Sequence, residues 1–371
     1  MPEFAKRISV MEGSATVVRK LFGGMNDPET ISFGGGAPAQ ELLPVDAARE
    51  IAADVFTYDK RGVEAFQYGP PNGIKELREI VAEKLLQPKG LPATADDVMI
   101  VAGGLETMNL ICQLYIAPGD VILVEEPTFV HCVEIFEMFQ AKCIGVEGDD
   151  QGMIMEDLEA KIKQYKPKII YTIPTFQNPS GKTLPIERRR KLAELGSQYD
   201  VIVLEDDPYR ELRYSGEDLP PIKCFDKTGH TVYANSFSKI FSPGSRLGFV
   251  YASKEIIKKL FDTKTATNSQ TNGIAQVIAA EYFKRGYYEQ TLKKAKELYA
   301  ERRDLMIACI DKYLPEGTKR VYPDGGLFTW VELPGDIDTD ELLTEAAKYK
   351  VAFVAGAGFF AGGCGKGKNC M

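Results

Sequence analysis

Lys239 lies in Ser236-Phe-Ser-Lys-Ile-Phe-Ser-Pro-Gly-Ser-Arg-Leu-Gly248, directly after the apolar run Thr231–Asn235. A lysine amine attacks a carbonyl only once it has lost its proton. Its ordinary pKa is about 10.4, so a lysine nucleophile needs a sheltered pocket. The hydroxyls of Ser236 and Ser238, with Arg246 seven positions beyond the lysine, suit a phosphate dianion. A lysine for a carbonyl beside groups for a phosphate describes a pocket for pyridoxal phosphate. Taken alone, the same string reads equally well as an ordinary strand and loop.

Three further segments carry chemistry-bearing residues. Glu205-Asp206-Asp207-Pro-Tyr209 sets three carboxylates after four apolar residues. They suit a metal, the positive end of a helix, or a carboxylate held ionised against a protonated pyridine nitrogen. Asn178-Pro-Ser-Gly181 closes another apolar run and by itself reads as a turn. Gly103-Gly104-Leu105 opens a helical pattern, where main-chain N–H groups favour a phosphate.

The elements that position these residues are short apolar runs at 98–102, 121–124, 168–173, 201–204, 231–234 and 247–251. Helical patterns at 74–86, 103–114 and 187–199 separate several of them. The alternation predicts a mainly parallel sheet with helices on both faces, and ligands in that architecture sit at the carboxyl ends of strands. Gly103, Glu125, Pro174, Asp206 and Ser236 each close a predicted strand. Beyond them, a long charged helix is expected over 287–313. A strand over 326–332, a helix over 339–349 and a strand over 351–354 follow it. The first forty or so residues show no strong pattern and are expected to pack on the smaller domain or a partner.

Length and composition bound the function. The 371 residues exceed what one core supports, so two domains are expected. A net charge of −8 disfavours nucleic acid and anionic membranes as partners. No apolar stretch is long enough to cross a bilayer, and Met1–Arg7 lacks a secretory apolar segment. Seven scattered cysteines without C-x-x-C spacing suit reduced thiols and a cytoplasmic location. His131 and His230 are the only histidines, which argues against a histidine metal site or a Ser-His-Asp hydrolase.

The order of these segments, with Tyr68-Gly-Pro-Pro-Asn-Gly-Ile-Lys-Glu-Leu-Arg78 ahead of them, resembles fold type I pyridoxal-phosphate-dependent aminotransferases of class I/II. The resemblance runs from about Ile31 to the end and is nearest to enzymes acting on 2-aminoadipate, kynurenine and aromatic or branched amino acids. It implies a three-layer α/β/α sandwich around a mainly parallel seven-stranded sheet, with a smaller α+β domain. The large domain is expected at 46–285 and the small one at 1–45 with 286–371. It implies pyridoxal 5'-phosphate held by Lys239 as an aldimine, with Lys239 then moving the substrate Cα proton. Asp206 would pair with the pyridine nitrogen, and Tyr209 and Asn178 with the phenolic oxygen. Phe129 would stack on the ring. Ser236, Ser238, Arg246 and the amides of Gly104 and Leu105 would grip the phosphate. Tyr68 would reach it from the neighbouring subunit of a homodimer, and Gly36 and Asn178 would meet the substrate.

One departure stands out. The family places an arginine for the substrate carboxylate on a strand after a glycine-rich loop. Here that loop, 356–369, is followed only by Cys370-Met371, and no arginine matches. A truncation in mid-pattern is the expectation, with Lys366 or Lys368 as replacements of poorer geometry. The expected activity is ping-pong transfer of an amino group from an L-amino acid to a 2-oxo acid. A lyase on the same fold and an effector-sensing module are the alternatives. For the module, fewer than forty residues precede Gly34, too few for a helix-turn-helix domain.

Overall fold

Runs dominated by β-branched and aliphatic residues become the strands of the main sheet, because their side chains pack well on a pleated surface. The computed structural model describes residues 2–5, 7–8, 29–58, 60–363 and 365–371. Most of the N-terminal stretch expected to pack on the smaller domain or a partner therefore lies outside the described residues, as does Cys364. In chain order the main-sheet strands are β1 (Val98–Val101), β2 (Val121–Glu125), β3 (Lys142–Val146), β4 (Ile169–Thr172), β5 (Ile202–Asp206), β6 (Thr231–Ser236) and β7 (Gly248–Tyr251). They form the expected seven-stranded, mainly parallel sheet of an α/β/α sandwich.

The chain divides into two compact units. One comprises 37–115 and 185–299 and holds β1, β7, β6 and β5 in that order. Here β5 and β6 run parallel, whereas β7 is antiparallel to both β6 and β1. Gly248 at the start of β7 pairs with Ser236 at the end of β6 and Val101 at the end of β1. The reversal therefore places the residues just before β7 at the carboxyl edge of its neighbours. An apolar core built from Ile51, Leu77, Val98, Phe237, Phe249 and Phe283 packs against this part of the sheet.

The other unit comprises 1–36, 116–184 and 300–371 and holds β4, β2 and β3, all parallel. Strand β3 has no counterpart among the expected runs, because Lys142, Cys143 and Gly145 break its apolar pattern. It ends the sheet order, with Lys142 exposed, as suits a strand with one unpaired side. Ile307, Ile310, Val331 and Leu333 form a smaller core in this unit.

The helix at Tyr287–Tyr313 and that at Thr339–Ala347 match expectation. The strand expected over 326–332 is shorter: only Val331–Glu332 pairs, with Lys319–Arg320. Gly326 at φ +77° takes the chain out of the pleat, and a Cβ there would meet Phe176 at 2.5 Å. Val351–Ala352 pairs in parallel with Ile31–Ser32. At the C-terminus, Met371 and Val331 exchange main-chain hydrogen bonds of 2.9 Å, adding the last residues beside Val331–Glu332.

Candidate active site

Lys239 ends a single 3-10 turn, Phe237–Lys239, placed directly after β6. The turn is tied down on both sides. Ser236 Oγ accepts the Ser238 N–H at 3.2 Å and donates to Ser238 Oγ at 2.9 Å, which pins the two hydroxyls together. Phe237 is fully buried against Phe249 and Phe283, with ring centroids 5.8 and 5.7 Å away. Its N–H donates to Leu247 O at 3.0 Å, and the Ser242 N–H returns to Phe237 O at 3.1 Å. Within the loop, Ser245 Oγ donates to Ser242 O at 2.7 Å. The lysine thus rests on a closed turn anchored by a buried aromatic ring.

The amine itself is set for chemistry. Burial, with the nearby positive charge of Arg246 second, lowers the Lys239 pKa to about 8. Its Nζ lies 5.9 Å from the ring centroid of the buried Tyr209. Asp206, also buried, is the last residue of β5. A Cβ placed on Gly104 would meet Ser236 Cβ at 3.9 Å and Asp206 Oδ1 at 4.0 Å, so these three residues face one space. Gly104 also begins the helix that runs to Tyr115, with Leu105 next in its first turn. Gly103 has φ +84°, and a Cβ there would stand 2.5 Å from the Arg246 guanidinium. Arg246 is itself left-handed at φ 49°, and its Nη1 donates to Pro243 O at 3.2 Å.

Neutralisable amine, carboxylate, tyrosine, paired hydroxyls, helix N-terminus and arginine therefore gather at one edge of one unit. That donor set fits pyridoxal phosphate from carbonyl to phosphate. The comparisons agree. The model for aminotransferase class I and II matches residues 28–366. The chain belongs to the class I and II aminotransferases. It is 40% identical over 352 residues to an aromatic-amino-acid aminotransferase 1 of Thermococcus litoralis, covering 94% of this chain and 84% of that protein. The solved kynurenine aminotransferase of Pyrococcus horikoshii superposes with a TM-score of 0.92 at 38% identity, covering 99% and 91% of the two chains. The α-aminoadipate aminotransferase of Thermus thermophilus gives 0.88 at 30% identity, covering 99% and 90%.

This aminotransferase uses pyridoxal phosphate and works by a ping-pong mechanism. When bound, the cofactor supplies the electron sink and the carbon that carries the amino group between substrates. The fold leaves the other expected residues in different settings. Tyr68 is 87% exposed, and its N–H donates to Gln67 Oε1 at 2.9 Å. Gly36, Phe129 and Asn178 belong to the other unit. Gly36 is left-handed at φ +54°, and any Cβ would run into the Phe328 ring. Phe129 packs edge-on against His131, with centroids 5.2 Å apart. Phe129, His131 and Asn178, with Phe33, Phe328 and Trp330, line an apolar cavity of about 530 Å³ within that unit. Burial lowers the His131 pKa, which keeps the imidazole neutral.

The three carboxylates of Glu205-Asp206-Asp207 separate by strand alternation. Glu205 accepts the N–H groups of Ile222 and Lys223 at 2.8 and 2.9 Å, and burial raises its pKa to about 7. Asp207 pairs with Arg210 at 2.5 Å. The segment continues as a short 3-10 turn, Arg210–Leu212, rather than the α-helix considered above. Lys366 pairs with Glu126 at 2.6 Å.

Three supports lie outside the expected site residues, and of these Glu125 showed in the sequence only as a strand end. Buried Glu125 accepts Thr172 Oγ1 at 3.0 Å and the Ile173 N–H at 2.9 Å. Gln177 Nε2 donates to Pro127 O at 2.7 Å, while its Oε1 accepts the Ser180 N–H at 2.7 Å, bracketing Asn178-Pro179. In the other unit, the fully buried Lys264 Nζ donates to both Glu106 carboxylate oxygens at 2.8 Å. Glu106 Oε2 in turn accepts the Ala102 N–H beside Gly103. Glu106 three residues into a helix was a visible signal; its lysine partner, 158 residues away, was not.

Proposed function

We propose that this aminotransferase takes a large apolar or aromatic L-amino acid as donor and a 2-oxo acid as acceptor. The wide, aromatic-lined cavity of about 530 Å³ carries this reading. The names of the Thermococcus and Pyrococcus relatives, aromatic-amino-acid and kynurenine aminotransferase, support it. Lys239 anchors the cofactor and moves the proton at the substrate Cα. Asp206 holds the pyridine nitrogen protonated, with Tyr209 and Asn178 serving the phenolic oxygen and Phe129 the ring face. Ser236, Ser238, Arg246 and the amides of Gly104 and Leu105 hold the phosphate, while Gly36 and Asn178 meet substrate. The exposure of Tyr68 suits a role across a homodimer contact. The six described cysteines are free thiols, which supports a cytoplasmic setting. The proposed cofactor domain spans 46–285, with 1–45 and 286–371 as the small domain.

A donor panel of phenylalanine, tyrosine, kynurenine, 2-aminoadipate and alanine, with 2-oxoglutarate or pyruvate as acceptor, tests the proposal. The aromatic donors should give the highest kcat/KM, with no product when the oxo acid is omitted. A preference for alanine or 2-aminoadipate overturns the donor class, and turnover without an acceptor overturns transfer in favour of elimination. Lys239→Ala should lose the visible absorbance of the bound cofactor. Sedimentation should show a dimer.

A further inference from the structure

Behind Ser236 runs a buried chain of hydrogen bonds that the proposed chemistry does not use. Arg210 Nε donates to Asp207 Oδ2 at 2.5 Å, and Tyr233 Oη donates to the same oxygen at 3.1 Å. Asn235 Nδ2 donates to Tyr233 Oη at 3.3 Å, and Asn235 Oδ1 accepts the Ser236 N–H at 2.6 Å. Asp207, Tyr233 and Asn235 have no solvent exposure. Strand geometry explains the path. Asp206 is in register with Ala234, so Asp206, Ala234 and Ser236 share one face of the sheet, and Tyr233 and Asn235 share the other. The Asp207 N–H extends the β5–β6 ladder one step, to Ala234 O at 2.9 Å.

The polarity of the chain is fixed. Burial works against the charge of Asp207, but the adjoining Arg210 outweighs it and holds the carboxyl below its usual range. Burial, with Asp207 second, pushes the Tyr233 hydroxyl well above its ordinary pKa, so it keeps its proton and donates to the carboxylate. The tyrosine oxygen is then free to accept from Asn235. That fixes which end of the Asn235 amide faces the Ser236 N–H, and so the orientation of the peptide carrying the Ser236 and Ser238 hydroxyls.

We propose that Asp207, Tyr233 and Asn235, ordered by Arg210, form a positioning relay that sets the Ser236–Ser238 hydroxyl pair for the cofactor phosphate. None of them touches the cofactor; each acts through Ser236. The inference rests on the phosphate role proposed above for Ser236. A relay of this kind acts on the phosphate end alone. Its loss weakens pyridoxal phosphate while sparing pyridoxal, which lacks the phosphate and binds through the same lysine.

The test measures dissociation constants of pyridoxal phosphate and pyridoxal for the apoprotein, by absorbance titration, in Tyr233→Phe, Asn235→Ala, the double variant and Ser236→Ala. Tyr233→Phe keeps the ring against Phe249 and removes only the hydroxyl. Each single relay variant should weaken pyridoxal phosphate about tenfold, the scale of one lost buried hydrogen bond, with pyridoxal unchanged. The double variant should be no worse than either single one, because both break the same chain. Equal losses for the two ligands, together with a lower melting temperature, overturn the relay in favour of a merely structural role. So does unchanged pyridoxal phosphate affinity in both single variants while Ser236→Ala loses it. If Ser236→Ala also keeps full preference for the phosphate, the role of Ser236 falls and the relay falls with it.

Discussion

The guanidinium of Arg246 occupies the space a side chain on Gly103 would need, 2.5 Å from where that Cβ would stand. The two residues come from different loops, after β1 and before β7, and the antiparallel direction of β7 brings them together. The glycine is needed twice, for its φ of +84° and for room beside the arginine.

Gly103→Ala should therefore weaken pyridoxal phosphate by roughly tenfold or more, because Arg246 must move out of its position. It should also cost about 1–3 kcal/mol of stability through the backbone conformation. Equilibrium dialysis of the cofactor and chemical denaturation of the apoprotein measure the two effects separately.

The Lys239 amine has a pKa of about 8 when folded, against an ordinary 10.5. Below pH 8 both folded and unfolded chains carry the proton. Between about pH 8 and 10.5 the unfolded chain binds more protons than the folded one, so stability rises with pH. Replacing the amine by a neutral side chain in Lys239→Met should make the apoprotein more stable at pH 7, by up to about 3 kcal/mol. The gap should close as pH rises through that window. Urea denaturation of both proteins at pH 7, 8.5 and 10 checks this, and a gap independent of pH would contradict the buried-amine account.

Gln177→Ala removes the side chain that ties Pro127 O to the Ser180 N–H across Asn178-Pro179. Losing these buried hydrogen bonds should cost about 1–3 kcal/mol. If Asn178 serves the reaction, kcat/KM should fall roughly tenfold, the scale of one misplaced hydrogen bond. Cofactor affinity should fall less than this, since Lys239 and the groups proposed to hold the phosphate belong to the other unit. Steady-state kinetics and an absorbance titration of the cofactor separate the two.

What could be read in the sequence was local. Ser236, Ser238, Lys239 and Arg246 lie within one short segment, and the apolar run before them announced their strand. Asp206 and Tyr209 sit at the end of another such run, so strand alternation and the rule of carboxyl edges brought them to the same edge. The antiparallel course of β7 left no mark in its composition, because Gly248–Tyr251 reads as apolar whichever way it runs. Lys264 looked like one more charge on a helix until the fold buried it against Glu106. Tyr233 and Asn235 looked like ordinary strand residues, since the Asp207 that Tyr233 meets lies beyond the neighbouring strand, 26 residues back in the chain. The strand expected at 326–332 was mostly lost to a glycine turn, whose need for space beside Phe176 no short window contains.

Because β7 begins at the site rather than ending there, the lysine, one of the two hydroxyls and the arginine all ride on the connection from 237 to 247. That connection is anchored by the buried side chains of Phe237, Ile240, Phe241 and Leu247, and the Phe237 bonds to Leu247 and Ser242 close it on itself. With the roles proposed for these residues, one local opening of this hairpin would withdraw the covalent anchor and most of the phosphate grip together. On those roles, cofactor escape and hairpin opening would be a single cooperative event, and bound pyridoxal phosphate should slow the exchange of those amides with solvent.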